Sequence, residues 1–137
     1  GLEVSPDGRW LYVAGYRGQL VTRLSRGITP VVKETVPIGF NVDNVHWASD
    51  GTLLAAGHTA PTDTRVGECM REGICEGITS RVARVDTDAM TSREFFTYPT
   101  NDHLILGTAA IQVGEEIWVG GIAGGVRIAR ISVPWRR

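Results

Sequence analysis

The chain has 137 residues, a formal net charge of −1 at pH 7, seventeen glycines and six prolines. This length suits a single domain, and the near-neutral charge with scattered arginines excludes the basic footprint of a nucleic-acid-binding surface. No apolar run approaches the roughly 18 residues of a membrane span, so no membrane-spanning helix is expected.

Three similar segments predict an all-β repeat. SPDGRWLYVAGY begins at Ser5, ASDGTLLAAGH at Ala48 and QVGEEIWVGGI at Gln112. The first two are about 42 residues apart, and the third follows after one period plus about 22 further residues. Short strands recurring at such a period are typical of a propeller blade or another β-repeat array, because each unit buries its faces only against its neighbours.

The first unit, residues 1–40, is predicted to contain four strands. They are Leu2–Val4, Trp10–Ala14, Gln19–Leu24 and Val31–Val36. β-Branched and aromatic residues dominate the middle strands, as a pleated and half-buried surface prefers. The outer strand carries charges and is followed by Pro37, which suits a sheet edge facing water.

The second unit, residues 41–100, also has four predicted strands and a long insertion. The strands are Val42–Trp47, Thr52–Ala56, Ser80–Val85 and Ser92–Tyr98. The Asp-Gly pair before the second strand predicts a hairpin turn. The insertion, residues 58–79, is predicted to be a surface loop without secondary structure of its own, and such loops are usually functional or mobile.

The third unit, residues 101–137, has three predicted strands and lacks an outer one. They are Thr108–Val113, Glu116–Gly120 and Val126–Ser132. The prediction is therefore a single partial β-propeller domain over residues 1–137, with about three four-stranded antiparallel blades, the last of them incomplete. Closed propellers have about four to eight blades, so three units indicate part of a ring.

Five polar residues are candidates for a site. Asp43 and Asn44 enter the inner strand of the second unit, where their residue types alone fit an Asx turn. His58 follows the next strand, either as an exposed loop histidine or as a pocket residue. His46 alternates with apolar neighbours and is predicted to be packed or channel-facing, whereas His103 is predicted to belong to a turn, with a channel-mouth contact as the alternative.

The repeated segments also resemble a known superfamily. GLEVSPDGRWLYVAGY, VDNVHWASDGTLLAAGH and GTAAIQVGEEIWVGGIAGGVRIARI resemble the six-bladed calcium propellers of the SMP-30, gluconolactonase, paraoxonase (arylesterase) and strictosidine synthase superfamily. The resemblance extends over nearly the whole chain and implies the C-terminal half of such a protein. The missing propeller half, or a second copy of the chain, would then be its partner.

This resemblance implies a calcium site and a hydrolytic activity. Asp43 and Asn44 match an Asp-Asn pair whose oxygens bind Ca²⁺, a hard cation. They are two of about five family ligands, so binding by this chain alone is expected to be weak or absent. His58 matches a pocket histidine that could activate water or polarise a carbonyl.

The implied function is a calcium-dependent hydrolase of the lactonase or arylesterase type, inactive as an isolated fragment and acting on a small-molecule ester or lactone. Two alternatives remain at this point. One is a non-catalytic binding or scaffold propeller, and the other is a strictosidine synthase-like enzyme, because a shared fold does not by itself define the chemistry.

Cys69 and Cys75 are the two cysteines of the chain. A local disulfide, free thiols and a metal site that recruits further ligands are all open interpretations. The resemblance to exported lactonase-like proteins favours the disulfide, which would in turn favour a periplasmic or secreted location.

Overall fold

The computed structural model describes residues 1–123 and 127–132, which form three antiparallel β-sheets and one short helix. The prediction of an all-β chain is confirmed. The strands are β1 (Leu2–Val4), β2 (Trp10–Gly15), β3 (Leu20–Ser25), β4 (Lys33–Pro37), β5 (Asn41–Trp47), β6 (Leu53–Thr59), β7 (Thr79–Asp86), β8 (Thr91–Pro99), β9 (Ile105–Val113), β10 (Glu116–Ala123) and β11 (Ile128–Ser132).

Each sheet follows the chain order of its strands. The first contains β1 to β4, the second β5 to β8, and the third β9 to β11 among the described residues. Neighbouring strands pair as antiparallel hairpins, with Trp47 opposite Leu53 at the turn of the second sheet. Gly51 adopts a φ of 83° in this turn, a conformation that glycine accepts without a steric cost.

The first strands of the three sheets lie beside one another. The indole Nε1 of Trp47 in β5 donates a hydrogen bond of 2.8 Å to the carbonyl oxygen of Val4 in β1. On the other side of β5, the Asn44 side chain donates one of 3.0 Å to the carbonyl oxygen of Thr108 in β9. The repeat seen in the sequence is therefore also a repeat in space.

The core consists of two layers on opposite faces of the second sheet. Leu53 packs with residues of the first sheet such as Val21. Its neighbour Leu54 packs with residues of the third sheet, including Ile117. Because successive side chains of a strand point to opposite faces, a sheet covered on both sides has continuous apolar strands. This explains the unbroken run at the start of β6.

The insertion of the second unit is shorter than predicted and contains a helix. β6 extends to Thr59 and β7 begins at Thr79, and between them the helix α1 spans Arg65–Glu72. The expectation of a loop without secondary structure is wrong over these eight residues. Gly73 ends the helix in the left-handed conformation, with a φ of 74° and its N–H donated to Cys69. The helix is not long and apolar enough to cross a membrane.

A disulfide joins Cys69 of the helix to Cys75. Both cysteines are buried, and they pack with Ile78 and Leu106 in a small third cluster. Because both sulfur atoms are in this bond, the free-thiol and metal-site interpretations do not describe this structure. The disulfide is compatible with an extracellular location.

Two strand boundaries of the third sheet differ from the prediction. β9 begins at Ile105, before the predicted Thr108, and β10 continues to Ala123, past the predicted end at Gly120. The register shifts between Gly120 and Gly121, where a bulge lets the strand continue. The predicted start of the last strand, Val126, lies outside the described residues.

Candidate functional site

Asp43 lies in a β-bulge at the beginning of β5. The pairing of β5 with β6 shifts register between Val42 and Asn44, so Asp43 has no directly opposite partner. The strands approach closely here, because a Cβ atom on Gly57 in β6 would lie 1.8 Å from the carbonyl oxygen of Asn41. Only glycine fits opposite this bulge, and the bulge in turn sets the direction of Asp43.

Asn44 connects the second sheet to the third. Its Nδ2 donates a hydrogen bond of 3.0 Å to the carbonyl oxygen of Thr108. This contact fixes the orientation of the amide and turns its Oδ1 towards Gly1, to within 3.1 Å of the position a Cβ atom would have there. The Asx-turn alternative therefore does not describe Asn44, which lies within a strand and bonds to a neighbouring sheet.

The side-chain oxygens of Asp43 and Asn44 are of the type that calcium binds, but two residues supply fewer oxygens than the ion takes. Among the described residues, no side chain or backbone donor bonds to the carboxylate of Asp43 or to Oδ1 of Asn44, and both residues are half-buried. Such oxygens are available to a hard cation, which takes about six to eight of them. No group of three or more histidine, cysteine or acidic residues that could bind a metal occurs in residues 1–123 and 127–132.

His58 is a buried residue of β6, with 2% of its surface exposed. The alternative of an exposed loop histidine is therefore wrong. Its Nδ1 lies 3.3 Å from the carbonyl oxygen of Gly107, and its Nε2 lies 2.6 Å from the hydroxyl oxygen of Tyr16. Both ring nitrogens are thus used within the protein.

The environment of His58 defines its protonation. Burial lowers the pKa of the imidazole, and this outweighs the opposite effects of the Gly107 carbonyl and of the carboxylate of Asp43. The ring is therefore neutral near pH 7. A carbonyl oxygen can only accept, so Nδ1 carries the proton and Nε2 accepts the hydroxyl proton of Tyr16. The influence of Asp43 also shows that the predicted metal ligand and the predicted catalytic residue belong to one neighbourhood.

Gly107, whose carbonyl oxygen bonds to His58, is held in place by Ser80. The N–H of Gly107 donates a hydrogen bond of 2.8 Å to Oγ of Ser80, a residue of β7 with 1% of its surface exposed. A Cβ atom on Gly107 would lie only 2.7 Å from Cβ of Ser80. The chain from Ser80 through Gly107 to His58 therefore ties the end of β6 to β9.

A cavity of about 440 Å³ lies next to Tyr16. It lies between the β2–β3 turn, the start of β5 and the residues that lead into α1. Its polar walls include Arg17, Asp63 and a pair of amide side chains. In this pair, Nε2 of Gln19 donates a hydrogen bond of 3.0 Å to Oδ1 of Asn41. Sequence reasoning missed this cavity and the role of Tyr16. The available signal was the 42-residue offset between Tyr16 and His58, which equals the repeat period.

The other two histidines bond to residues outside the Asp43, Asn44 and His58 set. His46 bonds to the carboxylate of Glu3 in β1, with Nδ1 and Oε1 3.1 Å apart. Oδ1 of Asn101 accepts the backbone N–H of His103 at 2.6 Å, which confirms the predicted turn. The side chain of His103 accepts a hydrogen bond of 2.6 Å from Arg127.

Neither a family model nor a curated protein matches this chain.

Proposed function

We propose that the three sheets are blades of a six-bladed β-propeller, and that the chain is part of an exported calcium-dependent hydrolase of the lactonase or arylesterase type. The observation that carries this proposal is the position of Asp43 and Asn44. Their side-chain oxygens accept no hydrogen bond from the described residues, although the N-terminal ammonium of Gly1 donates one of 2.7 Å to the carbonyl oxygen of Asp43. Asp43 and Asn44 lie where the first strands of neighbouring sheets meet, close to a buried histidine. The sequence resemblance supports the same assignment.

The carboxylate of Asp43 and Oδ1 of Asn44 are the groups that would hold the calcium ion. When bound, Ca²⁺ would polarise the carbonyl of an ester or lactone and stabilise negative charge on its oxygen. The bulge opposite Gly57 aims the carboxylate, and the bond to Thr108 aims the amide. The other ligands would come from the missing propeller half or from a second copy, so the isolated chain binds the ion weakly.

His58 does not line the cavity itself. Its Nδ1 is bonded to Gly107, and its Nε2 accepts the hydroxyl of Tyr16, which lines the cavity. Any proton that reaches His58 from a ligand in the cavity therefore passes through Tyr16.

The cavity also favours a second candidate, a non-catalytic binding propeller. Its walls carry guanidinium, carboxylate and amide groups that suit recognition of a small polar molecule. This candidate predicts binding without hydrolysis of lactones or aryl esters.

Thermal unfolding with calcium and with a chelator tests the metal site. A ligand that binds only the folded state stabilises it, by about 1.4 kcal/mol at ten times its Kd. We expect millimolar calcium to raise the Tm of the wild type by roughly 5 °C. The Asp43→Asn variant, which has the same size without the charge, should lose most of this rise.

The matched control is Asp102→Asn, which removes the charge of an exposed aspartate outside the site. It should retain the calcium response of the wild type. A wild type without any Tm response to calcium, or an equal response in Asp43→Asn, contradicts the calcium site. Hydrolysis of a small lactone or an aryl acetate by the same samples would favour the hydrolase over the binding protein.

A further inference from the structure

Tyr16 and His58 occupy equivalent positions of the repeat. Each directly follows the glycine that ends the matching segment, Gly15 in YVAGY and Gly57 in LAAGH. The packing of the first sheet on the second brings the two side chains together, with ring centroids 5.4 Å apart and the hydroxyl oxygen 2.6 Å from Nε2. The repeat has thus placed a hydroxyl next to a base.

The base of this pair is neutral and correctly oriented. The Gly107 carbonyl holds the proton of His58 on Nδ1, and Ser80 holds Gly107 in turn. The lone pair of Nε2 is therefore directed at the hydroxyl proton of Tyr16. A nucleophile, a base within hydrogen-bond distance and a third group that orients the base are the arrangement of an activated hydroxyl.

Tyr16 can contact a ligand in the cavity, whereas His58 cannot. Tyr16 is half-buried and lines the cavity of about 440 Å³, whereas His58 lies behind it with 2% of its surface exposed. Arg17 and the Asn41 amide stand on the same walls. These side chains are potential hydrogen-bond donors to the oxygens of an ester.

We propose that Tyr16 is a base-activated nucleophile that takes an acyl group from an ester bound in this cavity. The hydroxyl oxygen of Tyr16 forms a bond to the acyl carbon while the bond from that carbon to the leaving oxygen breaks. The hydroxyl proton passes to Nε2 of His58, and the leaving oxygen departs with the electron pair of the broken bond. The products are O-acyl tyrosine, protonated His58 and an alkoxide or phenolate, so atoms and charges balance without another reactant. The inference takes its substrate class from the proposed function but requires no metal ion.

Competition among the three tyrosines tests this directly. The whole chain is treated with limiting p-nitrophenyl acetate in the presence of a chelator, and the acetylated peptides are quantified by mass spectrometry. By exposure alone Tyr98, 42% exposed, should react first and Tyr12, 3% exposed, last. Activation by His58 instead predicts that Tyr16 reacts at least about tenfold faster than Tyr98, since general base catalysis contributes about 10²–10⁴-fold.

Two variants identify the source of the reactivity. His58→Gln should reduce the rate at Tyr16 to that of Tyr98 or below, while Tyr98, as the internal control, keeps its rate. Tyr16→Phe should remove the label from its peptide. If His58→Gln does not fold, as judged by circular dichroism, the ratio of Tyr16 to Tyr98 in the wild type decides the question alone.

Faster reaction of Tyr98 than of Tyr16, or an unchanged Tyr16 rate in folded His58→Gln, would overturn the inference. Its failure is distinguishable from that of the proposed function. A reactive Tyr16 in a protein whose Tm ignores calcium supports this inference and refutes only the calcium site. An unreactive Tyr16 in a calcium-stabilised protein refutes this inference and leaves the calcium site standing.

Discussion

Replacing Gly57 by alanine should damage the bulge that aims Asp43. A methyl group at position 57 would lie 1.8 Å from the carbonyl oxygen of Asn41 and 3.1 Å from Cα of Val42. These are backbone atoms of a buried strand, which cannot move aside as a flexible side chain can. The two strands must therefore separate where β5 begins.

The expected loss in the free energy of unfolding follows from this clash. Overpacking a core typically costs about 1–3 kcal/mol, and a clash with buried backbone belongs at the upper end. We expect a loss of about 3 kcal/mol, which lowers the Tm of a domain of this size by roughly 10 °C. That is a large part of the roughly 5–15 kcal/mol by which domains are stable.

Urea unfolding measures this loss, and Gly120→Ala is the matched control. Gly120 lies in the equivalent strand β10 without a positive φ, and no described atom is within 4 Å of the place that a methyl group would take there. Its replacement should change the free energy of unfolding by less than about 0.5 kcal/mol. Equal stabilities of the Gly57→Ala and Gly120→Ala variants would refute the steric reasoning. So would an unchanged calcium response in Gly57→Ala, because the bulge would then not position Asp43.

Three further outcomes are expected. The pKa of His58 is lowered in the folded state, so below about pH 6.5 the unfolded chain binds more protons than the folded one. The free energy of unfolding should therefore fall with falling pH, by up to about 1.4 kcal/mol per pH unit. Urea titrations between about pH 7 and pH 5 should show this slope in the wild type and a smaller one in His58→Gln. Reduction of the Cys69–Cys75 bond, which closes a short loop, should cost about 2 kcal/mol, and a double serine variant should show the same loss without any response to reductant. Arg23→Lys should cost about 1–2 kcal/mol, because Arg23 is largely buried and donates to the backbone carbonyl of Thr87 in the turn between β7 and β8. Arg9→Lys, at an exposed ion pair, should stay within about 0.5 kcal/mol.

The repeated sheets could be predicted because their signals are local. The Asp-Gly turn before Leu53 and the β-branched residues of Leu20–Ser25 specify hairpins whose partners are close in sequence. The start of β9 at Ile105 was missed because Leu106 adopts a φ of 51°, which residue type alone does not announce. The helix was missed because it has only two turns and a glycine inside it, although Gly73 was an available stop signal.

The candidate site could be predicted only in part because it is made by contacts between sheets. Asp43 and His58 were proposed from their positions at strand ends, and the carboxylate of Asp43 is near enough to influence the pKa of His58. The partner of His58 could not be found by residue type, because Tyr16 looks like any aromatic residue of a strand end. Only the packing of one sheet on the next decides which side chains at the same repeat position meet.

The insertion between Thr59 and Thr79 affects how much the sequence of this protein can vary. β6 and β7 pair without interruption up to Thr59 and Thr79, where the insertion begins and ends. The length of the insertion can therefore change without shifting any strand of the second sheet. A longer replacement adds little entropic cost, since that cost grows only with the logarithm of length. Any substitute must nevertheless bring its own hydrophobic underside to shield Leu106, which the present segment covers. Diversity can therefore accumulate here faster than in the paired strands, as long as the apolar cover of Leu106 and the cavity walls at Asp63 and Val66 are kept.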